Sequence, residues 1–142
     1  MARDLSFTLH VLTARLDRAA DRILRSEHDI TYSRFLALSL IGEHDIGTQR
    51  ALAEALGVTE PSVSRMIGVL TAEGLLEPPE RTGRRRLSLS ASGRSLVASA
   101  QGVLEDRFAE LVAGSGVPYD AYREHTARLL ATLTRYEDGG AR

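Results

Sequence analysis

The chain has 142 residues, a formal net charge of −1 and no cysteine. That length suits one ordinary domain, or a small domain with helical extensions. The missing thiols exclude disulfides, thiolate zinc sites and cysteine redox switches. No apolar run is long enough to span a membrane and the N-terminus lacks a signal-peptide core, so a cytoplasmic protein without membrane contact is the expectation.

All basic side chains are arginine, and their distribution says more than the total. From Arg81 to Arg94 there are five arginines and no acid, a local basic patch compatible with nucleic acid.

Residues 5–25 read as a long amphipathic helix, with Leu5, Leu9, Leu12, Leu16, Ala19 and Ile23 in one stripe suited to packing on another long helix. Arg15, Arg18, Arg22 and Arg25 make a second stripe, and Asp21 stands one turn before Arg25, placed to pair with it. Residues 26–30 are expected to break the helix, and Thr31 to cap the next one. That helix, Tyr32 to Glu43, carries Phe35, Leu36, Leu38, Leu40 and Ile41 and is expected to be the hub of the core. Residues 42–47 form the loop beyond it.

Gln49 to Leu70 (QRALAEALGVTEPSVSRMIGVL) then predicts two short helices joined by a sharp corner. Thr48 caps the first, which carries Ala51, Leu52, Ala55 and Leu56. Gly57 ends it, and Val58 is expected to plug the corner. Thr59 caps the second, and Pro61 fits its first turn. Val63, Met66, Ile67 and Leu70 form its buried back, while Glu60, Ser62, Ser64, Arg65 and Gly68 face outward. A buried back and a front of hydroxyls with one arginine suit a major groove, so the stretch reads as a helix-turn-helix.

Gly74 should end the recognition helix near Glu73. Residues 75–77 begin a strand that Pro78 and Pro79 cut short, 81–84 make a turn, and Arg85 to Ser90 alternate as a second strand. Such a hairpin is a wing, with a basic tip suited to a minor groove. A helix from about Ala91 to Ala113 follows, with Leu96, Ala100, Val103, Leu104, Phe108 and Leu111 on its apolar face. The last helix, about Tyr119 to Tyr136, places Tyr122, Leu129, Leu130, Leu133 and Tyr136 on one side, and the tail beyond should fray. The expected fold is mostly α (α+β): a winged helix-turn-helix with long N- and C-terminal dimerisation helices.

The run LAEALGVTEPSVSRMIGVLTAEGLLE, the arginine-rich turn and RRLSLSASGRSLV resemble the MarR family of bacterial regulators. They follow its L-A-x-x-L-x-V-S/T-x-x-x-V-S/T-R pattern, its G-L before the wing and its L-S-L-T-x-x-G after it. The resemblance in pattern covers nearly the whole chain. It departs at the wing, where the family's Asp before an arginine pair is replaced by Gly83 before Arg84 and Arg85, in a shorter loop.

The resemblance implies a single MarR-like domain over 1–142, with a DNA-binding lobe at 32–90 and dimerisation helices at 1–28 and 91–142. It implies a homodimer on a pseudo-palindromic operator, a repressor released by a small effector, often an aromatic acid. The apolar stripes of the end helices support the dimer independently, because a lone winged-helix lobe could not bury them. The residues expected at DNA are Thr59, Glu60, Pro61, Ser62, Ser64 and Arg65 of the recognition helix. From the wing, Arg84 and Arg85 suit the minor groove and Arg81 and Arg86 the phosphates. His10, Arg15 and Tyr32 are candidates for an effector pocket, where a cation and a phenol would suit an aromatic carboxylate.

Two other regulator or module readings compete: a winged-helix module used only for protein contacts, and a metal-responsive regulator in which His44 with Asp45, or His28 with Asp29, joins His125. Adjacent His–Asp pairs seldom ligate one ion and no helix carries a paired-histidine motif, so no metal or cofactor is expected. The four histidines lie without nucleophile-and-base spacing, so an enzyme is not expected either.

Overall fold

The computed structural model describes residues 4–82 and 86–140, with Arg81 and Thr82 as backbone only. The helices are α1 (Leu5–His28), α2 (Tyr32–Glu43), α3 (Gln49–Leu56), α4 (Glu60–Ala72), α5 (Pro79–Thr82), α6 (Ala91–Ser115) and α7 (Tyr119–Gly139). The chain forms two compact units, Met1–Gly102 and Val103–Arg142. No described helix is long and apolar enough to cross a membrane.

Local chemistry sets the helix starts. The side chains of Asp4, Thr31, Thr48 and Thr59 accept hydrogen bonds from the backbone N–H of Phe7, Arg34, Ala51 and Ser62 at 3.1, 3.2, 3.1 and 3.3 Å. Each satisfies an N–H that the helix itself leaves unpaired. Helix α1 runs to His28 rather than ending near residue 25, because Asp29 takes the left-handed cap (φ 53°) that the expected break had assigned to a longer loop. At the other end, α7 carries Glu137 to Gly139 as helix rather than as frayed tail.

In the first unit α1 packs on α2, α2 on α3 and α3 on α4. Leu24, Leu38, Leu52, Val63 and Leu70 are fully buried there, and Phe35, Ala37, Leu38 and Ile41 make α2 the hub that its composition predicts. Each such leucine contributes roughly 1.5–3 kcal/mol of burial. Several stripe assignments shift by a residue. Ala53 is buried and Ala55 exposed on α3; on α1 Leu24 is buried, and Leu5 and Leu9 of the stripe expected to pack on another long helix face solvent in the single chain. On α6 the buried positions are Val97, Ala100 and Val112, and Leu111 is exposed. A wide apolar face lets either of two adjacent stripes turn inward, and only the packing partner decides. Val58 is 46% exposed, so it does not plug the corner.

The wing base is where expectation and structure differ most. In place of two strands, the described arms share one antiparallel bridge, Leu76 with Leu89. Glu77 N–H donates to the Ser88 carbonyl at 2.8 Å and Ser90 N–H to the Leu75 carbonyl at 3.1 Å. Pro78 and Pro79 have no N–H to extend the ladder, and Pro79 opens α5 across part of the expected turn. A third arm joins unexpectedly: Leu87 N–H donates to the Gly47 carbonyl at 2.8 Å, tying the α2–α3 loop to the wing.

Candidate nucleic-acid interface

The corner between α3 and α4 is built on Gly57, which caps α3 in the left-handed region at φ 67°. Helix α4 then starts at Glu60 with Pro61 in its first turn, and turns Val63, Ile67 and Leu70 into the core. Glu60, Pro61, Ser64 and Arg65 are exposed on the opposite side, with Ser62 half-buried beside them. Gly68 lies on this face with nothing within 4 Å of where a Cβ would stand.

A short relay organises the start of this face. The Thr59 hydroxyl accepts from Ser62 N–H and donates to Ser62 Oγ at 3.0 Å. Arg65 Nη2 donates to the same Ser62 Oγ at 3.4 Å. Ser62 Oγ therefore accepts twice, and its own proton is left to donate outward. The guanidinium keeps most of its five N–H donors for another acceptor. Three side chains at the helix start thus present an oriented set of donors, suited to base-edge acceptors and phosphate oxygens.

The far end of α4 is fixed as firmly. Arg34 of α2 pairs with Glu73 at 3.4 Å. Gly74 turns the chain at φ 75°. Ser90 Oγ donates to the Gly74 carbonyl at 2.6 Å and accepts from Gly93 N–H at 3.0 Å, while Arg94 Nη1 donates to the Leu89 carbonyl at 2.9 Å. A Cβ on Gly93 would collide with the Leu75 carbonyl. The glycine of LSLSASG is thus the residue that lets the first turn of α6 close on the end of the recognition helix.

Of the wing arginines, Arg84, Arg85 and the Arg81 side chain lie outside the described residues. Arg86 is described, and its Nη2 pairs with Asp45 Oδ1 at 2.9 Å. Sequence reading missed the pairing of Asp45 with Arg86: the two lie 41 positions apart, and no local pattern links them.

The candidate effector residues lie on two helices, His10 and Arg15 on α1 and Tyr32 at the start of α2. His10 and Arg15 are exposed on α1. Tyr32 stacks on Phe35 with ring centroids 6.3 Å apart, and its backbone N–H donates to Asp21 Oδ1 at 2.9 Å. Asp21 also pairs with Arg25 at 2.7 Å, the spacing-predicted pair. The Tyr32 N–H, and after it Arg25, hold the Asp21 carboxyl below its ordinary value of 3.8. Burial, and after it the Asp17 carboxylate that hydrogen-bonds Tyr32, raise the Tyr32 hydroxyl above its ordinary 10.0.

Sequence reading also missed an open groove of about 580 Å³ where the end of α1 meets the start of α6, lined by His28, Ser92, Ser95, Leu96 and Ser99. His28 Nε2 is buried there and has no hydrogen-bond partner among the described residues. Among those residues, no group of three or more His, Cys, Asp or Glu is placed to hold a metal ion.

A helix-turn-helix with a buried back, a polar front and a basic arm folded beside it defines the winged-helix class of DNA-reading proteins. A sequence model described as the MarR family matches residues 28–86. Solved structures extend the likeness of fold to nearly the whole chain. MepR of Staphylococcus aureus, solved in complex with DNA, is 25% identical over 93% of this chain and 97% of that chain, with a TM-score of 0.67. MosR of M. tuberculosis, a transcriptional regulator, is 25% identical over 94% of this chain and 98% of that one, with a TM-score of 0.65. The Mycobacterium tuberculosis MarR-family protein Rv2887 in complex with salicylic acid is 23% identical over 92% and 98%, with a TM-score of 0.69. No curated protein matches the sequence. The sequence match to the MarR family thus spans the DNA-binding lobe, residues 28–86, and the likeness of fold to MarR-family regulators runs nearly end to end.

Proposed function

We propose that the protein is a homodimeric repressor that binds a pseudo-palindromic operator and is released by a small effector. The observation that carries the DNA-binding part is the relay Thr59–Ser62–Arg65 on the outward face of α4. Thr59, Glu60, Pro61, Ser62, Ser64 and Arg65 would enter the major groove, with Arg84 and Arg85 in the minor groove and Arg81 and Arg86 on phosphates. MepR was solved bound to DNA, which supports the same docking here. The test is selection of a duplex from random sequence on the purified protein, followed by a salt titration. Each arginine substitution that frees one phosphate should lower the salt slope by about 0.9. A module used only for protein contacts would recover no duplex.

The division of labour we propose gives DNA reading to residues 32–90 and dimerisation to 1–28 and 91–142 within one MarR-like domain. The dimer is supported by apolar surface that the single chain leaves in water. Helix α7 has no buried residue, and Leu129, Leu130, Leu133 and Tyr136 are 61, 66, 53 and 73% exposed. Leu5 and Phe7 of α1 are 64 and 62% exposed. Leaving so many large side chains in water is costly, and a symmetric partner offering the same stripes removes the cost.

For the effector, the proposed residues are His10, Arg15 and Tyr32, with the partner's helices completing the cleft. Rv2887 was solved with salicylic acid, so aromatic acids are the first candidates to titrate. An effector that acts by changing the separation of the two recognition helices must lose affinity on DNA-bound protein by the same factor that DNA loses on liganded protein. Calorimetry with and without duplex measures both. Equal ligand affinity for free and bound protein would remove the spacing mechanism.

A further inference from the structure

We propose that Asp45, in the loop between α2 and α3, is the positioning residue that holds Arg86 of the wing in the orientation that engages DNA. The proposal rests on the DNA-binding reading above and names a residue that reading did not include.

The α2–α3 loop meets Arg86 along its whole length. The guanidinium is held by Asp45 at 2.9 Å. The stem lies over Gly47, where a Cβ would stand 3.3 Å from Arg86 Cγ and 3.4 Å from Nε. The next residue is pinned to the same loop, with Leu87 N–H on the Gly47 carbonyl at 2.8 Å. One arginine is therefore gripped at its head, along its stem and at the adjoining backbone by a loop 41 positions away.

The grip has a chemical reason. No acid occurs from Arg81 to Arg94, so that stretch offers Arg86 no carboxylate of its own. An unheld arginine side chain loses rotamer freedom on meeting a phosphate, and a held one has already lost it. Asp45 takes one edge of a five-donor fork, and the Arg86 side chain remains 63% exposed, so donors are left for a second acceptor. Asp45 itself sits at φ 52°, a left-handed conformation that Asp and Asn tolerate better than other side chains. Gly47 adds room for the stem.

The sign of the effect separates positioning from plain electrostatics. Deleting an exposed acid beside a polyanion site ordinarily strengthens binding, because a repulsive charge has gone. Positioning predicts the reverse. Asp45→Asn keeps the shape and the left-handed backbone while removing the charge. An exposed pair of this kind contributes little to stability, so the variant should melt with the wild type.

The experiment measures binding to a duplex selected on the wild-type protein, across a salt series, for wild type, D45N, G47A, R86Q and D45N/R86Q. D45N and G47A should each weaken binding about threefold to tenfold, the range of coupling between touching residues. D45N should keep the wild-type salt slope, since its arginine remains, whereas R86Q should lower the slope by about 0.9. D45N/R86Q should bind no more weakly than R86Q alone. If D45N binds as tightly as the wild type or more tightly, or if the losses in the double variant are additive, the assignment is overturned while the DNA-binding reading stands. A wild-type protein without salt-dependent DNA binding would overturn both.

Discussion

Arg65 leans back along α4 and donates to Ser62 Oγ at 3.4 Å, while Ser62 is itself held by the capping Thr59 at 3.0 Å. The arginine proposed to read DNA is thereby tied to the residue that starts the helix. A cap and a proposed DNA contact share one set of hydrogen bonds, so changes at each should be felt at the other.

Replacing Arg65 with Ala should cost about 1–3 kcal/mol of operator affinity if it reads a guanine edge, with preference relaxed at one base position. Ser62→Ala removes the brace together with its own outward donor, so it should cost about 1–2 kcal/mol and blur the position that Arg65 reads as well as any that Ser62 contacts. Competition binding against duplexes varied one base at a time distinguishes the two. A uniform loss for R65A across all duplexes would make it a phosphate clamp instead.

Thr59→Ala should lower fold stability by about 1 kcal/mol, the usual value of a lost threonine cap. Thermal unfolding in the absence of DNA isolates this effect from binding. The DNA affinity of T59A should fall further than its stability alone explains, because Ser62 loses its partner.

Two glycines should respond in opposite directions. Gly93→Ala drives a Cβ into the Leu75 carbonyl, a backbone atom that cannot swing aside, and should destabilise by about 1–3 kcal/mol. Gly68→Ala meets open space within a helix and should stabilise by about 0.5–1 kcal/mol. If the outward face of α4 enters a groove, G68A should nonetheless weaken DNA binding, since the added methyl stands on that face. Unfolding and binding measured on the same preparations make the comparison.

Leu133→Asp should produce a folded monomer. Leu133 is 53% exposed in the single chain, so the charge costs the protomer little, but in a dry interface an unpaired carboxylate is expensive. Sedimentation at micromolar concentration should show the wild type as a dimer and L133D at half its mass, with helical content retained.

Acid should loosen the joint between α1 and α2. Asp21 has its folded value lowered, by the Tyr32 N–H first and Arg25 next, so the unfolded chain takes up its proton at higher pH than the folded one. The stability it contributes is complete above 3.8 and is lost as pH falls from there through the lowered folded value. Asp21→Asn should flatten that part of the stability–pH curve by lowering stability at neutral pH and leaving the acid end nearly unchanged, as acid titrations of denaturant midpoints would record.

Much of this protein was determined by its sequence alone, because the signals are short-range. Thr31, Thr48 and Thr59 each cap the helix that their spacing predicts, and Gly57 turns the corner, since capping and left-handed turns involve atoms within a few residues. The Asp21–Arg25 pair, one helical turn apart, was legible for the same reason. The tertiary structure alone decided which of two neighbouring stripes turned inward, so that Leu24 and Ala53 are buried while Val58 is not. It also reduced the wing's expected strands to the Leu76–Leu89 bridge, and it brought Asp45 and Gly47 onto Arg86. Those outcomes depend on residues tens of positions apart meeting in space, and a periodic pattern records which residues share a face, not which face finds a partner.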